Sequence, residues 1–474
     1  MIFVQSTILT SKDYFLRMKV KNLTNLLAVS SIAFISGCST PDPIVEANNL
    51  DLELEQQLTQ SSGGIGKEYY RLPESNDFSN IPQDPKNPLS TEKVELGKLL
   101  YHETGLAQNP KNQAGMNTYS CASCHHAKAG FQACMPQGMG EGGSGFGING
   151  ESRHVSEQYD MKDVDVQPIR TPSAMNIAYQ TNVLWNGQFG GTHLNIGTEA
   201  SWKDNGHPTG TNRLGFEGIE TQAIAGRDVH RLVIDKIFMT NYSTYKDLYQ
   251  KAFDPASLND PVKLKNNGAL AIAAYERTLL SNQAPFQMWL KGNYGAMTDN
   301  EKEGAKLFFG KGQCSTCHNG PSLANMEFHA LGMTDLTTGS YGNNEVINVT
   351  DANPEHKGRG GFTGRDEDMY KFKVPQLYNL KDSPFYGHGA SFTSVKEVIQ
   401  YKNAAVAQNS NVPVDKLSSQ FKPLGLSEVE IDQLTEFIDH ALRDPNLDRY
   451  VPEQLPTGLA FPNNDNQSII DLGF

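Results

Sequence analysis

The sequence predicts a mainly α protein with two similar domains and long irregular loops. Several segments carry apolar residues at helical spacing, convincing strand alternation is scarce, and one helix-plus-motif unit occurs twice. Of the 474 residues, 43 are glycine and 24 are proline, so long irregular segments are expected. The composition, 38% hydrophobic and 20% charged, is ordinary for a soluble globular protein. The net charge of −13 argues against binding to nucleic-acid phosphates.

The first 38 residues have the features of a secretory signal. A basic start, "MKVK" from Met18, precedes the apolar stretch 26–35 and then "SGC", which ends at Cys38. This pattern resembles the bacterial lipoprotein signal, in which the cysteine is lipidated. We therefore expect a signal over residues 1–38 with Met18 as the true start, and a lipid-anchored periplasmic protein at the outer membrane. The apolar run is too short to span a bilayer comfortably.

A polar segment separates this signal from the first helical pattern. Residues 39–85 are rich in Pro, Ser, Gly and acidic residues, so the sequence predicts a tether there. Five later segments have the apolar spacing of helices, and some follow capping residues. They are 91–101, 265–281, 298–312, 394–403 and 427–442.

One unit of the sequence is repeated. "ELGKLLYHETG" precedes "CASCHH", and "EGAKLFFGKGQ" precedes "CSTCHN", so a helix leads twice into Cys-x-x-Cys-His. The two motif histidines, His125 and His318, are 193 positions apart. The repeat implies two similar domains, each of which holds one copy of the same cofactor.

Cys-x-x-Cys-His is the attachment signature of c-type haem. The two cysteines form thioethers to the vinyl groups, and the adjacent histidine faces the iron as proximal ligand. A redox dithiol would need a βαβ unit, a four-cysteine zinc site leaves both histidines unexplained, and disulfides at this spacing would be strained. We therefore predict two covalently bound haem c groups, with Cys134 as an inert lone thiol. The residues concerned are Cys121, Cys124, His125, Cys314, Cys317 and His318.

Three segments resemble the bacterial di-haem cytochrome c peroxidase family, which includes the di-haem maturase of methylamine dehydrogenase. They are "NPLSTEKVELGKLLYHETGL…YSCASCHHAKAGF", "AYERTLLSNQAPFQMWLKGNYGAMTDNEKEGAKLFFGKGQCSTCHNGP" and "KFKVPQLYNLKDSPFYGHGASFTSVKEVIQYKN". The resemblance implies two cytochrome c-like haem domains, which we expect at 86–285 (peroxidatic) and 286–455 (electron transfer), before a tail at 456–474. It also implies reduction of H2O2 by electrons from a cytochrome c or a cupredoxin, and it allows a homodimer.

Three residues outside the motifs gain a role from this resemblance. "VLWNGQFGG" resembles the family's "FWDGR" segment, which makes Trp185 an electron relay between the haems; an ordinary core tryptophan is the alternative. "GIETQAIAGRDVHRL" resembles a segment that ends in a glutamate of the peroxide pocket, and His230 falls at or beside it. A histidine there can shuttle a proton between peroxide oxygens, although a partly exposed helix histidine remains the alternative. Asn176 resembles an asparagine that helps to hold a calcium ion.

The sixth ligands of the haem irons depart from the family pattern. At the C-terminal haem, where peroxidases have methionine and the maturase has tyrosine, alignment places Lys402, and a shift of one residue places Tyr401. Either would lower the haem potential relative to a thioether sulfur. Met333 is a further candidate, although packing is favoured there. At the N-terminal haem, His154 is the one histidine of a long glycine-rich loop; it is either a removable ligand or absent from the iron, and His126 is not expected to bind.

Two other functions stay open. One is a related di-haem oxidase that modifies a protein or an organic substrate through a high-valent haem state. The other is an electron carrier without catalytic activity. Turnover of H2O2 with reduced cytochrome c separates the oxidase from the peroxidase, and a high-spin haem that binds cyanide argues against the carrier.

Overall fold

The structure is a computed structural model that describes residues 46–204, 206–341 and 344–474. The predicted signal over residues 1–38, with Cys38, and the beginning of the predicted tether lie outside the described residues. Within the described part, no helix is both long enough and apolar enough to cross a membrane.

Helices dominate the described residues, which confirms the prediction of a mainly α fold. The α-helices among them are α1 Asn49–Ser61, α2 Thr91–His102, α3 Gly218–Val229, α4 Lys236–Asn241, α5 Ser243–Ala252, α6 Pro261–Arg277, α7 Pro285–Leu290, α8 Asp299–Phe309, α9 Arg359–Thr363, α10 Val395–Ala404, α11 Glu428–Glu436 and α12 Asn466–Leu472. The short strands pair antiparallel, β1 Gly143–Ser144 with β2 His154–Val155, β3 Phe328–His329 with β6 Phe372–Lys373, and β4 Gly339–Tyr341 with β5 Asn344–Val346. The five predicted helical segments correspond to α2, α6, α8, α10 and α11.

Capping residues explain where three of these helices begin. Thr298, Ser394 and Ser427 are the N-caps of α8, α10 and α11, and each is followed three residues later by a glutamate. In each case the glutamate accepts the N–H of the cap, and the cap accepts the N–H of the glutamate. These reciprocal bonds satisfy N–H groups that the first helical turn leaves free.

Two large hydrophobic clusters form the cores of the described residues. The first is built mainly on α2, α3, α5 and α6, and the second on α7, α8, α10 and α11. Glycines allow close helix contacts in both. A Cβ on Gly97 of α2 would lie 1.8 Å from the carbonyl oxygen of Ala271 in α6, and a Cβ on Gly304 of α8 would lie 2.0 Å from that of Gln433 in α11. A larger residue at either glycine would push the paired helices apart.

The prediction of a tether is wrong for the part of residues 39–85 that the structure describes. Helix α1 lies on α8, and its Leu54 and Leu58 are fully buried in the second core. Asp51 of α1 is also buried, where it accepts a hydrogen bond from Trp289 Nε1 at 2.7 Å and pairs with Lys302 Nζ at 2.7 Å. The polar composition conceals a narrow apolar stripe whose single buried acid has its own partners.

A segment near the C-terminal end of the sequence packs against the first core, whose helices come from the N-terminal half. Residues 447–461 contribute Leu455 and Phe461 to the first core. The carbonyl oxygen of Pro462 then accepts hydrogen bonds from the hydroxyls of Ser120 and Ser123, each at 3.1 Å. The predicted tail therefore covers the N-terminal Cys-x-x-Cys-His motif. The predicted domain division at residue 285 remains a prediction. Helix α1 packs in the second core although it precedes that division, and residues 447–461 pack in the first core although they follow it.

The internal repeat extends beyond the cysteine motifs. Arg170-Thr-Pro leads to Asn176 and Lys373-Val-Pro leads to Asn379, and the two asparagines have left-handed φ values of 56° and 57°. A short 3-10 helix follows each asparagine. A loop then closes through one antiparallel bridge, between residues 183 and 189 in the first copy and between 386 and 392 in the second. Each half thus presents the same loop scaffold to the site.

Candidate active site

A continuous cavity of about 520 Å³ reaches both Cys-x-x-Cys-His motifs. Its wall includes all six motif residues, namely Cys121, Cys124, His125, Cys314, Cys317 and His318. All the cysteines that the structure describes are free thiols. The structure thus joins the two predicted cofactor sites through one interior space.

The two motif histidines are oriented in the same way. His125 donates its Nδ1–H to the carbonyl oxygen of Phe131 at 3.3 Å, and His318 donates to that of Leu323 at 3.1 Å. Because a carbonyl oxygen only accepts, these bonds leave the Nε2 atoms free as metal ligands. Burial lowers the pKa of His125 to about 4 and that of His318 to about 3. Both rings are therefore neutral, as coordination to iron requires.

Two buried cations on the cavity wall have no carboxylate within ion-pair distance among the described residues. Arg170 donates to uncharged acceptors, including the hydroxyl of Ser383 at 2.8 Å, and Lys373 donates to the amide oxygen of Gln180. Burial lowers the pKa of Arg170 to about 10 and that of Lys373 to about 7. A buried cation without a counter-charge is costly, so these equivalent residues fit the carboxylates of two haem groups.

Trp185 lies on the cavity wall and contacts both halves of the repeat. Its indole Nε1 donates to the carbonyl oxygen of Arg170 at 2.8 Å, and its own carbonyl oxygen accepts the N–H of Lys373 at 2.7 Å. The ring packs edge-on against His388, with centroids 6.3 Å apart. These contacts hold the indole between the residues that precede the two equivalent prolines.

Helices α3 and α10 present equivalent faces to the cavity. Ile219, Gln222, Ala223 and Gly226 of α3 have the same spacing as Val395, Val398, Ile399 and Lys402 of α10. By this spacing, Gly226 in the first half corresponds to Lys402 in the second. His230, at the C-cap of α3, also lies on the wall, and 37% of its side-chain surface is exposed. The wall near the N-terminal motif thus carries a glycine and a histidine where the other half carries a lysine.

Of the three predicted ligands for the C-terminal haem, Lys402 and Met333 lie on the cavity wall. Burial lowers the pKa of Lys402, which favours the neutral amine that can bind a metal. Tyr401, the alternative to Lys402, does not line the cavity. Its hydroxyl donates to the carbonyl oxygen of Leu331 at 2.6 Å, and its ring packs against Phe421 in the second core.

His154 of the glycine-rich loop and His126 beside the first motif histidine do not line the cavity. His154 is exposed in β2, where its Nδ1 lies 2.9 Å from the carbonyl oxygen of Ser152. The prediction of His154 as a removable ligand is therefore not supported by this arrangement, because the β1–β2 pair fixes it on the surface. His126 is buried against Phe146, with ring centroids 4.9 Å apart, and does not line the cavity.

Asn176, the predicted calcium ligand, is fully buried and bonded to protein groups. Its side-chain oxygen accepts the N–H of Ser281 at 3.1 Å, and its own N–H donates to the carbonyl of Leu279 at 2.7 Å. The equivalent Asn379 accepts from the hydroxyl of the same serine at 3.0 Å. These contacts give both asparagines a structural role, and the calcium ion remains a prediction.

The sequence analysis missed a buried carboxylate beside His230. The Nδ1 atom of His230 lies 2.7 Å from Oδ2 of Asp165, and Asp165 is itself buried. Asp165 is 65 positions earlier in the chain. The one signal in the sequence was an acidic residue in the glycine-rich loop, which does not by itself identify a partner.

The chain is similar to di-haem cytochrome c peroxidases and to MauG-like proteins. Residues 91–295 match the family model described as di-haem cytochrome c peroxidase. The methylamine utilization protein MauG of Methylorubrum extorquens is 25% identical over 387 residues, which cover 80% of this chain and 85% of the relative. The cytochrome c551 peroxidase of Pseudomonas aeruginosa is 25% identical, with 71% and 80% covered. The crystal structure of a MauG-like protein associated with microbial copper homeostasis shares the fold, with a TM-score of 0.52, 20% identity, and 79% and 95% covered.

Proposed function

We propose, on the premise that this chain belongs to the di-haem cytochrome c peroxidase family, that it reduces H2O2 to two molecules of water with electrons from a small redox protein. The observation that carries the proposal is the single cavity that joins the two haem attachment motifs. Its two ends are chemically different, because Lys402 projects from one helix face where the other has Gly226. One end is thus open to a small substrate, and the other can be closed by a ligand.

The residues of the cavity account for how the haem groups would be held. The cysteines of the two motifs would form the thioethers, and His125 and His318 would be the proximal ligands. Arg170 and Lys373 would pair with haem carboxylates, which restores the charge balance that both lack among the described residues. When bound, the haem groups supply the redox chemistry that cleaves the O–O bond and passes electrons between the two ends of the cavity.

His230 would move the proton. Reduction of one H2O2 requires two electrons and two protons, and the first oxygen must lose its proton before the second leaves as water. His230, on the cavity wall near the N-terminal motif, would accept that proton at Nε2 and deliver it to the leaving oxygen. Trp185 would serve as the relay for electrons from the C-terminal half, because it is held between the two repeats.

The proposal extends to the cell compartment and the partners. We place the protein in the periplasm, held at the outer membrane by a lipid on Cys38, where a reduced cytochrome c or cupredoxin would be the electron donor. The calcium ion and the homodimer that the family resemblance allows belong to the same proposal.

Steady-state turnover of the holoprotein with H2O2 and reduced cytochrome c tests the peroxidase function. We expect turnover well above that of free haem, and a loss of at least about tenfold in His230→Gln, since a positioned acid–base group contributes about 10²–10⁴. Turnover equal to that of free haem would overturn the proposal. Peroxide consumption without oxidation of the cytochrome, but with oxidation of an added protein or organic reductant, would instead favour the oxidase function.

A further inference from the structure

We propose that Asp165 is the positioning residue of the distal site, which holds His230 with its Nε2 atom towards the cavity, and that Arg231 and Glu141 hold Asp165 in place. This inference rests on the proposed function, because it gives His230 its role. It adds a group that neither approaches the substrate nor belongs to either haem motif.

The contact between His230 and Asp165 fixes the tautomer of the histidine. His230 Nδ1 lies 2.7 Å from Oδ2 of Asp165. A carboxylate only accepts hydrogen bonds, so the proton must be on Nδ1, and Nε2 is left with its lone pair. The backbone limits the ring further, because the N–H of His230 donates to the carbonyl of Gly226 at 2.8 Å at the end of α3. Nε2 is therefore the only ring atom that can exchange a proton with a substrate.

A second layer of buried charge holds Asp165. Arg231 Nη2 lies 3.3 Å from Asp165 Oδ2, and its Nε donates to Glu141 Oε2 at 2.6 Å. Glu141 is fully buried and also accepts the hydroxyl of Tyr159 at 2.9 Å. Arg231 has a left-handed φ of 57°, a conformation that most residues adopt only under constraint. The strained backbone turns its guanidinium inwards immediately after His230.

The glycine-rich loop brings the two acids together. The N–H of Asp165 donates to the carbonyl of Glu141 at 2.8 Å, and the N–H of Gly140 donates to the carbonyl of Asp165 at 3.0 Å. Both Gly140 and Asp165 lie on the cavity wall. The loop for which the sequence predicted a ligand at His154 therefore supplies the support of the distal histidine instead.

His230 lines the cavity as well as contacting this charged network. Asp165 and Glu141 carry two negative charges against the one positive charge of Arg231, so a protonated His230 would complete the balance. The contact with Asp165 thus orients a histidine that lies on the cavity wall.

The charged groups around His230 shift its pKa in opposite directions, so the removal of each group has its own expected effect. Burial lowers the pKa of His230, but the facing Asp165 outweighs it, and the net pKa is raised; Arg231 acts in the opposite direction. His125 faces His230 from the motif, and Lys111 acts on it indirectly through Asp165. As a base, His230 is active only above its pKa. Loss of Asp165 should therefore move the activity limb to lower pH, and loss of Arg231 should move it to higher pH.

The pH dependence of cyanide association with the holoprotein tests the inference, because binding of HCN requires a base to take its proton. We expect Asp165→Asn to lower the midpoint and to slow binding above it by at least about tenfold. Arg231→Gln removes the positive charge that lowers the pKa of His230 and should raise the midpoint. In a His230→Gln background, Asp165→Asn should have no further effect, since it acts through the histidine. Haem content and melting temperature are measured for every variant.

A surface pair provides the matched control. His440 Nδ1 lies 2.7 Å from Glu436 Oε2, the same distance as in the buried pair, so Glu436→Gln should leave the cyanide kinetics unchanged. The inference is overturned if Asp165→Asn slows binding equally with and without His230, or if neither midpoint moves as stated. If Asp165→Asn does not fold, the result for Arg231→Gln decides. Unaltered binding in His230→Gln would instead contradict the role of His230 in the proposed function.

Discussion

Lys402 and Gly226 stand at equivalent positions on the cavity-facing sides of α10 and α3. Lys402 presents an amine to the cavity, and glycine has no side chain to present at the equivalent position. Under the proposed function, this pair of residues would suit one half of the repeat to electron transfer and the other to substrate. Sequence comparison alone left Lys402 and Tyr401 open, because a shift of one residue in a helix changes the direction of the side chain by about 100°.

Substitution of Lys402 tests its role at the C-terminal haem. We expect Lys402→Ala to convert the low-spin absorption bands of one haem to high-spin bands and to raise its reduction potential, because a strong nitrogen donor is lost. Tyr401→Phe is the neighbouring control. It removes one hydrogen bond to Leu331, worth about 1 kcal/mol of stability, and should leave the bands unchanged.

Retention of the low-spin bands in Lys402→Ala would exclude lysine as the sixth ligand. Met333, which also lies on the cavity wall, would then be the residue to replace. A spectral change in Tyr401→Phe would contradict the buried position of its hydroxyl.

The distal network marks the limit of prediction from sequence at this scale. The haem attachment residues could be predicted because their chemistry is encoded in five consecutive positions. His230 followed only from the family resemblance, and Asp165, Arg231 and Glu141 could not be predicted. Their contacts join residues up to 90 positions apart, through a loop whose course no local pattern specifies.

At the scale of secondary structure, each of the five segments with a clear apolar period contains a helix, but α6 begins and ends four residues earlier than predicted, and α11 ends six residues earlier. Their capping boxes, which begin at Thr298, Ser394 and Ser427, are local signals. Helix α1 was missed because its buried face is narrow and includes an acid, Asp51, whose partners lie more than 200 residues away. Composition described this segment as a tether, whereas tertiary contacts make it part of a core.

Replacement of the buried leucines of α1 should measure what that helix contributes. We expect Leu54→Ala and Leu58→Ala each to reduce the free energy of unfolding by about 2–5 kcal/mol, because both side chains are fully buried. Leu52→Ala, in the same helix but 56% exposed, is the control and should change it by less than about 0.5 kcal/mol. Denaturant unfolding of the holoproteins provides the measurement. Equal, small effects at all three positions would support the original prediction that this segment is a tether.

At the scale of the whole molecule, the two halves share one interior rather than merely standing side by side. Trp185 is bonded to the residues that begin the two equivalent Pro-containing segments. The sequence repeat predicted two similar halves. It did not predict that residues 447–461 would pack in the first core and α1 in the second. That packing depends on burial in the assembled fold, which a periodic pattern does not contain.

The proposed lipid anchor concerns the molecule as a whole, because it determines where the site meets its donor. We expect Cys38→Ser to abolish incorporation of labelled palmitate and to move the protein from the membrane fraction to the soluble periplasmic fraction, with its turnover of H2O2 unchanged. Palmitate incorporation that persists in the variant would exclude Cys38 as the lipidated residue.

The packing of residues 455–462 on the first cysteine motif also bears on the order in which the protein assembles. Leu455 and Phe461 belong to the first core, and Pro462, whose carbonyl oxygen accepts hydrogen bonds from Ser120 and Ser123, comes 342 residues after Ser120 in the chain. Until they arrive, the first cysteine motif has no cover. Attachment of haem at this motif would therefore precede the packing of these later residues over it.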